Sequence, residues 1–148
     1  PELLENGPVI TQGFIGSDLT GKTTTLGREG SDFTGAIFAY CLKAESLTVW
    51  KDVPGLLNAD PKKFEGAELF DELSYQEVTE LTFYGAKVIH PKTIRPLAQR
   101  EIPLYVKSFI EPSGGGTVIV NKEKIATKHC FVFKEDQLLV THLELHFQ

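Results

Sequence analysis

Apolar residues in this chain come in short runs of two kinds, and the kinds alternate along most of its length. Residues 9–12 (Val-Ile-Thr-Gln) read as a short strand that runs into Gly13-Phe14-Ile15-Gly16. Phe33, Ala36, Ile37 and Tyr40 recur at helical spacing, which predicts a helix over 33–42 that buries them. Residues 47–50 (Leu-Thr-Val-Trp) predict the next strand. Ser74-Tyr75-Gln76-Glu77 is a capping box, with Leu73 and Val78 placed as a hydrophobic staple. A helix follows to about Tyr84, with Gly85 as its stop. Pro91 opens another short helix through Gln99. Residues 102–109 and 117–120 read as strands around the Gly114-Gly115-Gly116 turn. Strands alternating with helices predict an α/β fold, with a parallel or mixed sheet and helices on both faces.

The pattern changes after Asn121. A Lys/Glu linker leads to Cys130-Phe131-Val132-Phe133, a turn at 134–136, and Leu138-Leu139-Val140. Leu143, Leu145 and Phe147 then alternate with Glu144, His146 and Gln148 and stop without a turn. This predicts the beginning of a separate β-rich module and a further domain beyond it. The methionine count of 0 fits a start that lies elsewhere.

Composition narrows the classes. The 148 residues suit one domain, and 41% hydrophobic with 24% charged residues is ordinary for a globular chain. The net charge of -5 and the lack of a basic block argue against nucleic acid or an anionic membrane as partner. No apolar run is long enough to cross a bilayer. Cys41 and Cys130 are the two cysteines, with no disulfide framework and no metal-ligand spacing. A reducing cytoplasm is the expected compartment, and Cys41 is expected in the core.

Thr24-Thr25-Leu26-Gly27-Arg28-Glu29-Gly30-Ser31-Asp32 carries the densest chemistry. Arg28 can grip a carboxylate or phosphate through two parallel hydrogen bonds. Gly27 and Gly30 permit positive φ and close backbone approach. Ser31 and Asp32 suit a helix cap, behind which free N–H groups attract an anion. Capping alone would equally account for both. Asp32 and Arg28 could pair with each other, or each could meet one end of a zwitterion.

Elsewhere, Lys51-Asp52-Val53-Pro54-Gly55 forms a loop at a strand's carboxyl end, where open α/β sheets hold ligands. Asp52 reads either as a ligand contact or as a turn-stabilising carboxylate. Asn58-Ala59-Asp60-Pro61 is a second turn. Lys87 is a candidate phosphate cation, or else a solvated lysine. His90 reads as a structural histidine before Pro91 rather than an acid or base. His142, Glu144 and His146 share a strand face, where a solvated face is a better reading than a metal site, and no metal ligands are assigned.

Five strings occur in order: Gly13-Phe14-Ile15-Gly16, the 24–32 segment, Trp50-Lys51-Asp52-Val53-Pro54-Gly55, Asp60-Pro61, and Phe83-Tyr84-Gly85-Ala86-Lys87-Val88-Ile89-His90-Pro91. Together they resemble the aspartokinases of the amino-acid kinase family, over about 9–120. The resemblance implies a three-layer αβα fold with a mostly parallel sheet. Residues 1–120 would form the ATP-binding half of the kinase domain, and 121–148 a linker with the first strands of an ACT-like regulatory domain.

The implied activity is transfer of the ATP γ-phosphate to the side-chain carboxylate of L-aspartate, with Mg2+ on the nucleotide, in a homo-oligomeric intact protein. Arg28, Gly30, Ser31 and Asp32 would lie at the aspartate site, with Arg28 on the α-carboxylate. Lys51, Asp52, Leu57, Lys62, Lys87 and Val88 would line the nucleotide site, and Asp32 and Lys87 would be catalytic. Four residues depart from the family pattern: Glu29 stands where Gly is frequent, Lys51 for Thr or Ser, Leu57 for Tyr and Lys62 for Arg. The family's opening Lys-Phe-Gly-Gly-Thr-Ser segment is not in this sequence, so the resemblance implies a chain inactive alone. Other readings left open are a sibling amino-acid kinase such as a glutamate kinase, a silent nucleotide-binding module, and an oligomerisation piece.

Overall fold

The computed structural model describes residues 5, 7–84, 88–123 and 128–132. Two strands, β1 (Ile15–Ser17) and β2 (Thr23–Thr25), form an antiparallel hairpin. Helix α1 (Gly30–Leu42) leads to β3 (Leu47–Lys51). A long loop then reaches β4 (Glu72–Ser74), α2 (Tyr75–Tyr84), α3 (Pro91–Gln99), β5 (Leu104–Ser108) and β6 (Thr117–Val120). The sheet runs β3-β5-β6-β4, with β3 parallel to β5, β6 parallel to β4, and β5 antiparallel to β6. This is the α/β class with the mostly parallel sheet expected from the sequence.

Burial follows the pleat. Leu104, Val106 and Ser108 on β5 and Thr117 and Ile119 on β6 are buried, while their neighbours are half-exposed. Leu73, Val78, Ile89, Ile94 and Leu97 complete the centre of the core.

The capping box forms as expected. Glu77 Oε2 accepts from the backbone N–H of Ser74 at 2.8 Å, and the Glu77 N–H donates to Ser74 Oγ at 3.2 Å. Leu73 and Val78 are both fully buried, as a staple requires. His90 is structural, because its Nδ1 caps α3 by accepting from the Lys92 N–H at 3.1 Å.

Four expectations are corrected. Residues 9–12 form no strand; Val9 is 48% and Ile10 98% exposed, because no strand among the described residues pairs with them. On α1 the buried residues are Gly30, Ala36 and Ala39, not Phe33, Ile37 or Tyr40. Two small side chains let α1 and α3 approach, which leaves Phe33 and Tyr40 half-buried at the edge and Ile37 exposed. Tyr40 lies under Arg100, whose guanidinium carbon is 4.2 Å from the ring centre. Cys41 is exposed rather than in the core, since it follows the alanine face by only two residues and points away from it. Finally, α1 begins at Gly30 with Glu29 at the cap, so Ser31 and Asp32 are residues of the first turn and not caps.

Residues 128–132 lie against the 58–69 loop. Phe131 donates its N–H to the Asn58 carbonyl at 2.7 Å, and its ring stacks on Phe64 at 6.0 Å. Lys128 pairs with Glu68 at 3.0 Å and reaches the Leu69 carbonyl at 3.1 Å. The expected Gly85 stop, residues 133–140 and the His142, Glu144, His146 face lie outside the described residues.

Candidate functional site

The 24–32 segment turns tightly to deliver the first turn of α1. Leu26 donates its N–H to the Phe14 carbonyl at 2.8 Å, and Gly30 to the Gly27 carbonyl at 3.0 Å. Thr34 Oγ1 accepts from the Phe14 N–H at 3.0 Å and donates to the Gly30 carbonyl at 2.9 Å. Gly27 takes the positive φ expected of it, at 76°. Gly30 is needed for space instead, because a Cβ there would meet Phe14 Cδ2 at 2.9 Å and Leu26 Cβ at 3.0 Å.

Glu29 sits left-handed at φ 55°, a conformation that costs a residue with a side chain and suits glycine. Its Oε2 is buried without a hydrogen-bond partner among the described residues. Arg28 and Ser31 are exposed on either side of it.

Asp32 pairs with Lys51, not with Arg28. Lys51 Nζ lies 2.5 Å from Asp32 Oδ2, with the two side chains 22% and 16% exposed. Lys51 is the last residue of β3, so the contact ties the Arg28–Asp32 string to the Lys51–Gly55 string at the strand's carboxyl end. That edge is where the sequence pattern placed a ligand. Asp52 follows on the surface and accepts no hydrogen bond among the described residues, so it does not brace its turn.

The loop after Asp52 is firmly held. Thr117 Oγ1 accepts from the Leu56 N–H at 2.9 Å and donates to the Phe70 carbonyl at 2.6 Å, all in the core. Gly55 passes so close that a Cβ would lie 2.5 Å from that hydroxyl. Leu57 bridges to Leu69, half-buried. Lys62 is exposed in the next turn, where Asp60 Oδ1 accepts its N–H at 2.9 Å. Val88 is partly buried against the core. Lys87 lies outside the described residues.

Two residues of the site were missed as a pair. Nothing within either string links Asp32 to Lys51, which are 19 positions apart. The available signal was a lysine closing an apolar strand opposite an acidic first helical turn. An open hollow of about 890 Å3 between α2 and α3, lined by residues including Gln76, Glu80 and Arg95, contains none of the candidate residues. Among the described residues, no cluster of three His, Cys, Asp or Glu side chains is placed to hold a metal ion. Among them, too, no helix is long and apolar enough to cross a membrane.

These elements define a class. The family model for the amino acid kinase family matches residues 1–108, and the chain belongs to that family. Within it, the chain is similar to aspartokinases. Lysine-sensitive aspartokinase 3 of Escherichia coli is 43% identical over 139 residues, covering 93% of this chain and 31% of that protein. The solved structure of E. coli aspartokinase III with aspartate and ADP, in its R-state, superposes with a TM-score of 0.78 at 46% identity, covering 83% of this chain and 28% of that one. The T-state structure with lysine and aspartate gives 0.72 at 46% identity, covering 82% and 27%. The chain therefore spans under a third of the length of these relatives.

Proposed function

We propose that this chain supplies the nucleotide-binding half of an aspartate kinase, which transfers the γ-phosphate of ATP to the side-chain carboxylate of L-aspartate and yields 4-phospho-L-aspartate. The observation that carries this reading is the Asp32–Lys51 contact. It brings the string that would hold an amino acid against the string that would hold a nucleotide. The likeness to an aspartokinase solved with aspartate and ADP supports it.

In this reading exposed Arg28 takes the α-carboxylate as a two-pronged clamp. Gly30 and Ser31 present the start of α1 beside it, and Asp32 meets the ammonium. Lys51, Asp52, Leu57, Lys62 and Val88 line the nucleotide, and Lys87 is assigned as a cation for its phosphates. Phosphoryl transfer asks the protein mainly for positioning and cations, which this residue set offers.

Mg2+ suits a site of this kind when bound through phosphate oxygens and one or two carboxylates rather than a protein cage. The exposed Asp52 carboxylate fits that demand. Bound there, the ion would neutralise charge on the phosphates. Residues 1–120 are the kinase half in this proposal. Residues 121–148 enter an ACT-like regulatory module, and the intact protein is a homo-oligomer in the cytoplasm.

The test has two arms. Calorimetric titration of the chain with MgATP and with L-aspartate should show saturable binding of the nucleotide. A chimera carrying this chain in place of the matching segment of E. coli aspartokinase 3 should form ADP only when aspartate is present. A chain that binds no nucleotide, together with a folded chimera that forms no ADP, would refute the proposal.

A further inference from the structure

Lys51 stands where the first turn of α1 meets the end of β3. Its ammonium is engaged by Asp32, a carboxylate contributed by another element. One residue on, the chain leaves β3 for the loop that would carry a nucleotide. The contact is mostly shielded from water, so the pair is stronger than an open surface pair. It is still accessible enough for an incoming anion to compete. Lysine suits such an exchange, since its point charge rides on a flexible four-carbon stem, whereas arginine would be held in a fixed fork. While the pair is closed, Asp32 Oδ2 is held by Lys51, and the carboxylate's charge is partly neutralised toward a second cation.

We propose that Lys51 is a two-position residue, closed on Asp32 when the nucleotide is absent and turned to the phosphates of a nucleoside triphosphate when it is present, which releases Asp32 to the ammonium of the amino acid. The inference rests on the nucleotide reading given above. The exchange is favourable in charge terms, because a triphosphate offers Lys51 more negative charge than one carboxylate does. The uncovered Asp32 then finds a new cation in the second substrate. Asp32 and the triphosphate are therefore rivals for one ammonium. The substrate that arrives first prepares the place of the other, and the coupling is reciprocal.

Rivalry gives an unusual sign. Asp32→Asn removes the competitor and should tighten MgATP binding several-fold. Lys51→Met removes the cation and should weaken it about tenfold. Lys51→Arg keeps the charge but forks onto Asp32, so its affinity should fall between that of the original and that of Lys51→Met. Inorganic triphosphate, used as a second probe, should follow the same order. Trp50, the chain's one tryptophan, neighbours Lys51 and is 49% exposed, so its fluorescence is the signal to follow in the titrations. Thermal melting establishes that each variant folds, and Asp32→Ser replaces Asp32→Asn if the latter does not.

If Asp32→Asn weakens MgATP in step with Lys51→Met, the pair is a strut and the proposal fails. Unchanged affinity in Lys51→Met also overturns it while leaving nucleotide binding intact. An original chain that binds neither MgATP nor triphosphate overturns the nucleotide reading and this inference together.

Discussion

The ammonium of Lys51 closes on the carboxylate of Asp32 at 2.5 Å, joining the last residue of β3 to the first turn of α1. Each side chain is at least three-quarters shielded from water, so removing one strands the other's charge. Asp32→Asn and Lys51→Met should each lower stability by about 1–2 kcal/mol, between the exposed and the buried extremes. The double variant should lose less than the sum. Urea unfolding of all four proteins measures the coupling, and strictly additive losses would show that the contact contributes nothing.

Glu29→Gly should stabilise the chain. Glu29 is left-handed at φ 55° and buries an oxygen without a partner, and glycine removes both costs. The greater freedom of glycine in the unfolded state offsets part of the gain. A net rise of about 1 kcal/mol is expected, seen as a melting shift of about 2–4 °C. A fall would mean that the carboxylate has a favourable role that its surroundings do not reveal.

Thr117→Val keeps the shape of the side chain and deletes the hydroxyl between the Leu56 N–H and the Phe70 carbonyl. Two buried groups lose their partner, at a cost of about 1–3 kcal/mol. Hydrogen exchange should accelerate at Leu56 above all. Unchanged exchange there would contradict the anchoring role.

Tyr75 lends the fold a dependence on alkaline pH. Burial pushes its hydroxyl up to about 12 from an ordinary 10.0. The hydroxyl donates to the Ile102 carbonyl in the core. The folded state therefore keeps a proton that the unfolded state gives up. Its stabilisation is complete below pH 10 and is lost as pH rises through the window between about 10 and about 12. Tyr75→Phe should cost about 1 kcal/mol near neutrality and remove that fall. Urea midpoints measured across the window decide the matter, and equal slopes in both proteins would refute it.

Local signals were readable in the sequence, and long-range ones were not. The Ser74–Glu77 box, the His90-Pro91 start of α3 and the β3, β5 and β6 strands were all legible, because each is written within a few consecutive residues. The β1–β2 hairpin was hidden because Thr23, Thr24 and Thr25 are all exposed and show no alternation. The packing face of α1 was misread because the aromatics outweigh Ala36 and Ala39 in any hydrophobic pattern, yet small residues let helices come together. Residues 9–12 have the composition of a strand, but a strand exists only beside a neighbour. At the site, the residue types of the Arg28–Asp32 string were legible, while the partner of Asp32 was set by where α1 and β3 meet in space.

The ribbon at 128–132 is fastened to the 58–69 loop by a ring stack, a backbone hydrogen bond and an ion pair. Lys62 stands inside that loop, and Leu57 is knotted to its far end at Leu69. These contacts join the segment to the loop at three points, so a shift of residues 128–132 that keeps them would be passed to Leu57 and Lys62 as a change of position.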